Sequence, residues 1–211
     1  MKYYLITDTH FNHKNMVQYC QRPENFDDLL WQSLESLPDD CVLIHLGDVC
    51  FGSDDKVHER LKKLPYKKIL IRGNHDKKSD KYYLENGWNC VCDSLSGHYY
   101  GKYITFSHEP IPNIHNLNIH GHIHNHLPRL LAGNWAVEGE EERNREMLRG
   151  LNSNHKLLAV EFTGYKAISL EKFISEKSTR GLLAAHSRAE QFSVQQFSAG
   201  FCIKNWHNLP I

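Results

Sequence analysis

The feature that most constrains this chain is a repeated break, in which a short apolar run stops abruptly at a polar loop rich in Asp, Asn or His. Lys2 to Ile6 stops at Asp8-Thr9-His10, and Cys41 to Leu46 stops at Gly47-Asp48. Lys68 to Ile71 stops at Gly73-Asn74-His75-Asp76, Tyr103 to Phe106 at Ser107-His108, and Leu117 to His120 at Gly121-His122-Ile123-His124. Such runs, bounded by turn residues, read as buried strands. Between them the spacing turns helical. Phe26, Leu29, Leu30, Trp31, Leu34 and Leu37 predict a helix closed by Pro38, and Val57, Leu61 and Leu64 predict another before Pro65. A weaker helix is expected over Ser79 to Glu85, a polar one over Gly139 to Arg149, and a last one from Glu171 to Ser175. Gly97 to Phe106 reads as a hairpin, and Leu157 to Glu161 and Ala167 to Leu170 read as later strands. Alternating strands and helices predict α/β layers. In open α/β sheets ligands bind beyond the carboxyl ends of strands, so the polar tips are expected to meet at one edge.

Taken in order, the tips supply Asp8, His10, Asp48, Asn74, His108, His122 and His124: two carboxylates, one amide and four imidazoles. That donor set suits Mn²⁺, Fe²⁺, Zn²⁺ or Ni²⁺. It has too much imidazole for Ca²⁺ and no thiolate for a structural zinc. It also exceeds what one cation needs, and it suits two cations about 3.5–4 Å apart sharing a carboxylate.

The order D-T-H, G-D-V, G-N-H-D, S-H and G-H-I-H resembles the calcineurin-like metallophosphoesterase superfamily. The opening Asp8-Thr9-His10-Phe11-Asn12-His13-Lys14-Asn15 is similar to a small bacterial and phage subgroup of it. The resemblance covers about residues 1 to 175. It implies a four-layer α/β sandwich of two mixed sheets flanked by helices, with a dinuclear centre at the C-terminal ends of the strands. Asp8, His10 and His124 would hold one metal, Asn74, His108 and His122 the other, and Asp48 both. Manganese is the expected metal, with Fe, Zn or Ni as rivals. His75 would not bind metal; it would face the phosphate and protonate the leaving oxygen after attack by water activated between the cations. The protein Ser/Thr phosphatases of the superfamily carry Asp-Arg-Gly soon after the G-D motif. Here Gly47-Asp48 is followed by Val49-Cys50-Phe51-Gly52-Ser53, so a phosphoprotein substrate is disfavoured.

Three further residues are candidates for touching substrate or supporting the ligands. His13 lies in the first loop, Arg72 precedes the third, and Asp76 either orients His75 or caps the turn. Lys56 to Tyr82 is rich in Lys and Arg and can steer phosphate-rich substrates. The whole chain is balanced, with 25 basic and 25 acidic residues, which argues mildly against a nucleic-acid-coating protein. Six cysteines without a C-x-x-C pair read as reduced thiols, and no apolar run reaches bilayer length, so the expectation is a cytoplasmic protein without a membrane partner. Cys90 and Cys92 are expected on opposite strand faces. Residues 1–177 are expected to form the catalytic domain, and 178–211 a flexible or non-native tail whose rival roles are a homodimer contact or a lid. The fold of the insertion 127–154 is not readable. The expected function is a phosphodiesterase acting on a small or nucleotide phosphodiester. The alternatives are a nuclease on DNA or RNA and, more remotely, a metal-stabilised binding scaffold without catalysis.

Overall fold

The structure, a computed structural model, describes residues 1–52, 54–127, 130 and 141–176. Strands β1 (Tyr3–Ile6), β2 (Val42–His45), β3 (Lys67–Ile71) and β4 (Cys90–Cys92) run parallel, and β9 (Ile168–Ser169) adds antiparallel to β1, giving the order β4-β3-β2-β1-β9. A second sheet has the order β5 (Ser94–Tyr99), β6 (Lys102–Ser107), β7 (Leu117–His120), β8 (His155–Leu157). Its β5–β6 pair is antiparallel and the others are parallel.

The strand period of two decides how the sheets stack. Leu5, Val42, Ile44 and Ile71 leave one face of the first sheet and meet Ile104, Phe106 and Ile119 of the second. Ile6, Leu43 and Leu70 leave the other face and meet Leu30, Leu34, Val57 and Leu61. Those four belong to helices α2 (Phe26–Glu35) and α3 (Asp54–Lys62). Beyond the second sheet, Leu157 packs with Ile123, Leu127 and Leu130, against Met147 and Leu148 of α5 (Glu141–Arg149). The result is the four-layer sandwich of two mixed sheets flanked by helices. Burial of each such Leu or Ile contributes about 1.5–3 kcal/mol relative to exposure, so the face-to-face apolar layers fix how the sheet ends lie against one another. Among the described residues no helix is long and apolar enough to cross a membrane.

Most elements fall where the pattern places them. Helix α4 (Asp80–Glu85) is capped by Ser79, whose hydroxyl accepts the Tyr82 N–H at 3.2 Å. The single-turn helix α1 (Met16–Tyr19) has no expectation to match. One reading is corrected: the run Leu157 to Glu161 is not a strand. The strand ends at Leu157, and the chain turns into helix α6 (Val160–Thr163), stopped by Gly164 at φ 64. Leu158, Ala159 and Val160 are fully buried, and a continuous apolar run carries no period to separate strand from helix. Cys90 and Cys92 are also corrected. Two residues apart on a strand, they share a face. A final helix, α7 (Leu170–Ser175), buries Leu170, Phe173 and Ile174. The tail 178–211 lies outside the described residues.

His58 on α3 is buried among Tyr83 and Trp88, and Trp88 Nε1 donates to its Nδ1 at 3.3 Å. Burial depresses its pKa to about 4, against the pull of Asp54 and Asp55. The folded value lies below the ordinary 6.5, so unfolding takes up a proton between the two. Stability present at neutral pH is therefore lost as pH falls from 6.5 towards 4. Urea unfolding at pH 7 and pH 5 is expected to show His58→Leu reducing the pH-dependent loss by roughly 1–2 kcal/mol. An unchanged loss in the variant would show that His58 does not carry it.

Candidate metal centre

The site is built by backbone ladders that run on past the strands. Asp8 N–H donates to Gly47 O at 2.9 Å, His10 N–H to Asp48 O at 3.0 Å and Phe11 N–H to Val49 O at 3.0 Å. The β1–β2 pairing thus continues into their loops as far as a Phe11–Cys50 bridge. Across the second sheet Gly121 N–H donates to His108 O at 3.0 Å. These contacts hold Asp8, His10, Asp48, His122 and His124 in left-handed backbone, at φ 48, 47, 56, 68 and 52. L-residues enter that region at a cost of about 1–2 kcal/mol each. Two glycines are required by close approach. A Cβ on Gly73 would lie 2.1 Å from Asp48 Oδ1, and one on Gly121 would lie 2.1 Å from Thr7 Oγ1 and 2.4 Å from Asp8 Oδ2.

The structure brings the sequence-predicted residues into two clusters. In the first, Asp8, His10 and His124 offer ligand atoms within 4.8 Å of one another. Asp8 is wholly buried; its Oδ2 accepts from Thr7 Oγ1 at 2.6 Å and His122 N–H at 3.0 Å, while Oδ1 has no hydrogen bond and lies 3.7 Å from His124 Nε2. Neither His10 ring nitrogen has a hydrogen bond. In the second cluster, Asp48, His108 and His122 do the same, joined by Asn74, whose Oδ1 is 2.9 Å from His108 Nε2 and 3.0 Å from His122 Nδ1. Asp48 also faces the first cluster. Its Oδ2 lies 3.5 Å from His10 Nε2 and 3.4 Å from His108 Nε2, and its Oδ1 accepts the His75 N–H at 2.8 Å.

The donor chemistry fits cations. His108 Nδ1 faces Leu46 O at 2.7 Å, which assigns the ring proton there. Its Nε2 lone pair then points at Asn74 Oδ1, Asp48 Oδ2 and His122 Nδ1, all of them electron-rich. Acceptors converge like this only around a proton or a cation. Protonation alone already shows the pull. Burial opposes a charge on His108, yet Asp48 and Asp8 raise its pKa to about 9. Burial also opposes charge on Asp48, but His108, His10 and the His75 N–H hold its carboxyl well below the usual range. His10 goes the other way: burial and the neighbouring His124 push it down, which keeps its lone pairs free.

Of the accessory candidates, Asp76 has the clearest position. Its carboxylate accepts N–H bonds from Asp48 at 2.8 Å, Val49 at 3.1 Å and Gly73 at 2.8 Å, tying the second loop to the third. Burial raises its pKa, the Asp48 charge adds to this, and the three N–H groups oppose it. Arg72 is engaged by Asp93 at 2.9 Å and Asp80 at 3.1 Å. His13 stacks on Phe51, centroids 4.1 Å apart. His75 stands at the rim, with its side chain 39% exposed and Nε2 4.0 Å from Asp48 Oδ2.

A brace behind the first cluster is absent from the sequence reading. Arg22 donates from Nε and Nη2 to Glu161 Oε1 at 2.9 and 2.7 Å, and from Nη2 and Nη1 to Asp8 O at 2.7 Å and Thr9 O at 3.0 Å. Glu161 Oε1 lies 3.4 Å from His124 Nδ1, the ring nitrogen opposite the one facing Asp8. Burial opposes charge on Glu161, but His124 and Arg22 hold its pKa down to about 2. Cys20 stands in the same group, its thiol 3.5 Å from His126 Nε2. The signal that finds Glu161 is a charged residue inside a fully apolar run, LLAVE. Such a residue is buried only with a partner.

An α/β sandwich that aims carboxylates and imidazoles at shared points is built to hold cations, the design of a metal-dependent hydrolase. The chain belongs to the calcineurin-like phosphoesterase family, whose profile matches residues 1–186. It is 34% identical to the uncharacterized protein MJ1445 of Methanocaldococcus jannaschii over 183 residues, covering 82% of this chain and 89% of that protein. Among solved structures, the protein of unknown function AQ665 from Aquifex aeolicus superposes with a TM-score of 0.57 at 27% identity, covering 82% of this chain and 98% of that one.

Two outcomes follow from the supports. Glu161→Gln leaves the buried Arg22 charge unneutralised and is expected to cost about 3 kcal/mol. It should also weaken cation binding at Asp8, His10 and His124 by 10–100-fold, roughly the effect of losing a carboxylate behind a ligating imidazole. Mn²⁺ titration calorimetry with unfolding scans checks both, and unchanged affinity would remove the brace from the site. Asp76→Asn turns one acceptor into a donor facing N–H groups, and thermal denaturation is expected to show a loss of about 2–3 kcal/mol.

Proposed function

We propose that the protein is a phosphodiesterase that holds two divalent transition metals and acts on a small or nucleotide phosphodiester. The observation that carries this is the position of Asp48. One carboxylate oxygen stands 3.5 Å from an imidazole of the first cluster and 3.4 Å from an imidazole of the second. Asp8, His10 and His124 would hold one cation and Asn74, His108 and His122 the other, with Asp48 common to both. Manganese heads the candidates because carboxylate and amide oxygens suit it, with Fe, Zn and Ni as rivals that the four imidazoles suit as well. Bound there, the cations supply Lewis acidity to phosphoryl oxygens and activate water near neutral pH.

The chain's own groups do the rest. Asp48, kept ionised, cancels charge between the clusters. Glu161 Oε1 faces His124 Nδ1 at 3.4 Å, which favours a proton on that nitrogen and leaves Nε2 free to ligate. The backbone N–H of His75 is tied to Asp48, so its ring hangs over the same carboxylate, and its half-exposed Nε2 can give a proton to a departing alkoxide. The ring also packs edge-on to His10, centroids 5.4 Å apart, which limits its swing. The free Cys20, Cys41 and Cys50 thiols, all buried, suit the reducing cytoplasm that belongs to this reading.

Chelated full-length protein refilled with Mn²⁺ is expected to hydrolyse bis(4-nitrophenyl) phosphate. Asp48→Ala should abolish turnover and lower the bound metal measured by elemental analysis. His75→Ala should reduce kcat by about 10²–10⁴-fold at unchanged metal content. Loss of metal in the His75 variant would show that its role is ligation rather than proton transfer.

A further inference from the structure

Beside His75 lies a cavity of about 670 Å³, large enough for a nucleotide-sized ligand. Phe51 forms part of its wall, and its ring is 50% exposed. One side of that ring is backed by His13, nearly parallel at 17° and 4.1 Å, and His75 meets it edge-on at 5.8 Å. Phe51 is thus a held aromatic surface, fixed by its own N–H to Phe11 O and placed next to the proposed proton donor. The wall sets Asp54 and Asp55 against Lys56, Lys77 and Lys78, so its balance is positive. Asp54 is engaged by the Cys50 thiol at 3.2 Å and by Lys78 at 3.9 Å, and Asp55 by the Tyr82 hydroxyl at 2.6 Å. Lys77 has no ion pair among the described residues, so the cavity keeps an uncompensated cation.

We infer that this cavity receives the leaving-group side of the substrate, and that the group is a nucleotide whose base stacks on Phe51. The inference rests on the phosphodiesterase reading of the adjacent centre and adds the substrate class. An aromatic ring is indifferent to base identity but demands a planar π-face, and a free lysine beside it favours an anionic backbone. A sugar phosphate without a base would use the centre and the lysine and leave Phe51 bare.

The test measures binding, so it does not depend on turnover. Mn²⁺-loaded full-length protein is titrated by calorimetry with adenosine 5′-monophosphate and with ribose 5-phosphate. The nucleotide is expected to bind about tenfold tighter or more, as one stacked base would give. Phe51→Ala should bring the nucleotide down to the sugar phosphate while leaving the sugar phosphate unchanged, and Phe51→Trp should keep the preference. No preference in the parent protein, or a preference that survives Phe51→Ala, overturns the inference. A short single-stranded oligoadenylate in a third titration separates the sources: tighter binding than the mononucleotide assigns the base to a strand, equal binding to a free nucleotide, and either requires Phe51. Absence of bis(4-nitrophenyl) phosphate hydrolysis, by contrast, would strike the reading of the metal centre and leave this comparison standing.

Discussion

The structure depends on holding the candidate metal-binding residues in backbone they do not favour. Five of the predicted metal-binding residues sit at positive φ, and each Asp or His there is strained relative to an extended or helical alternative. What over-determines the strain is continuity. The hydrogen bonds between β1 and β2 do not stop with the strands but run on through Asp8–Gly47, His10–Asp48 and Phe11–Val49. Strand pairing on the core side therefore dictates the loop conformation on the ligand side.

The two sheets bring their candidate residues from different directions, and the junction is tight. The first sheet supplies Asp8, His10, Asp48 and Asn74 from the ends of three adjacent parallel strands. The second supplies His108, His122 and His124 from the ends of β6 and β7. The sheets meet where Gly121 passes over Thr7 and Asp8 with no room for a side chain. His108 Nδ1 reaches across to Leu46 O, so the imidazole of one sheet is aimed by the backbone of the other. Stacking of Leu5, Ile44 and Ile71 against Ile104, Phe106 and Ile119 is thus the remote cause of ligand convergence.

The fold and the convergence of the seven candidate residues were legible because both are written in strong local signals. Short apolar runs ending in a polar tip with a candidate residue repeat at the ends of five strands, three of them with Gly just before it, and the structure places those ends on one edge of the sandwich. What stayed hidden involves partners far apart in sequence. Glu161 looked like the polar end of a strand, and nothing local to it announces Arg22, 139 residues away. Asp76 caps its own turn through the Gly73 N–H, as one of its two readings had it, but its other partners are N–H groups of the second loop, 27 and 28 residues earlier. The LLAVE run was misread because its residues are buried all round and carry no period. Arg72, a candidate for touching substrate, instead has its guanidinium engaged by two carboxylates, one of them 21 residues on.

Charge is distributed so that neutrality of the whole chain says little about the site. Arg22 brings a buried positive charge within hydrogen-bond reach of Asp8 O, where it would repel an incoming cation. Glu161 neutralises it through a two-nitrogen contact on one oxygen, with both side chains almost fully buried, where screening is weak. The pair therefore contributes geometry without net field: its donors pin the Asp8–Thr9 backbone, and its acceptor sets the His124 ring. Asp8 and Asp48 are then the uncompensated charges at the centre, facing imidazoles that are better ligands neutral than protonated. Two fixed negative charges at the meeting point of two sheets attract cations more strongly than any surface patch, because little water reaches them.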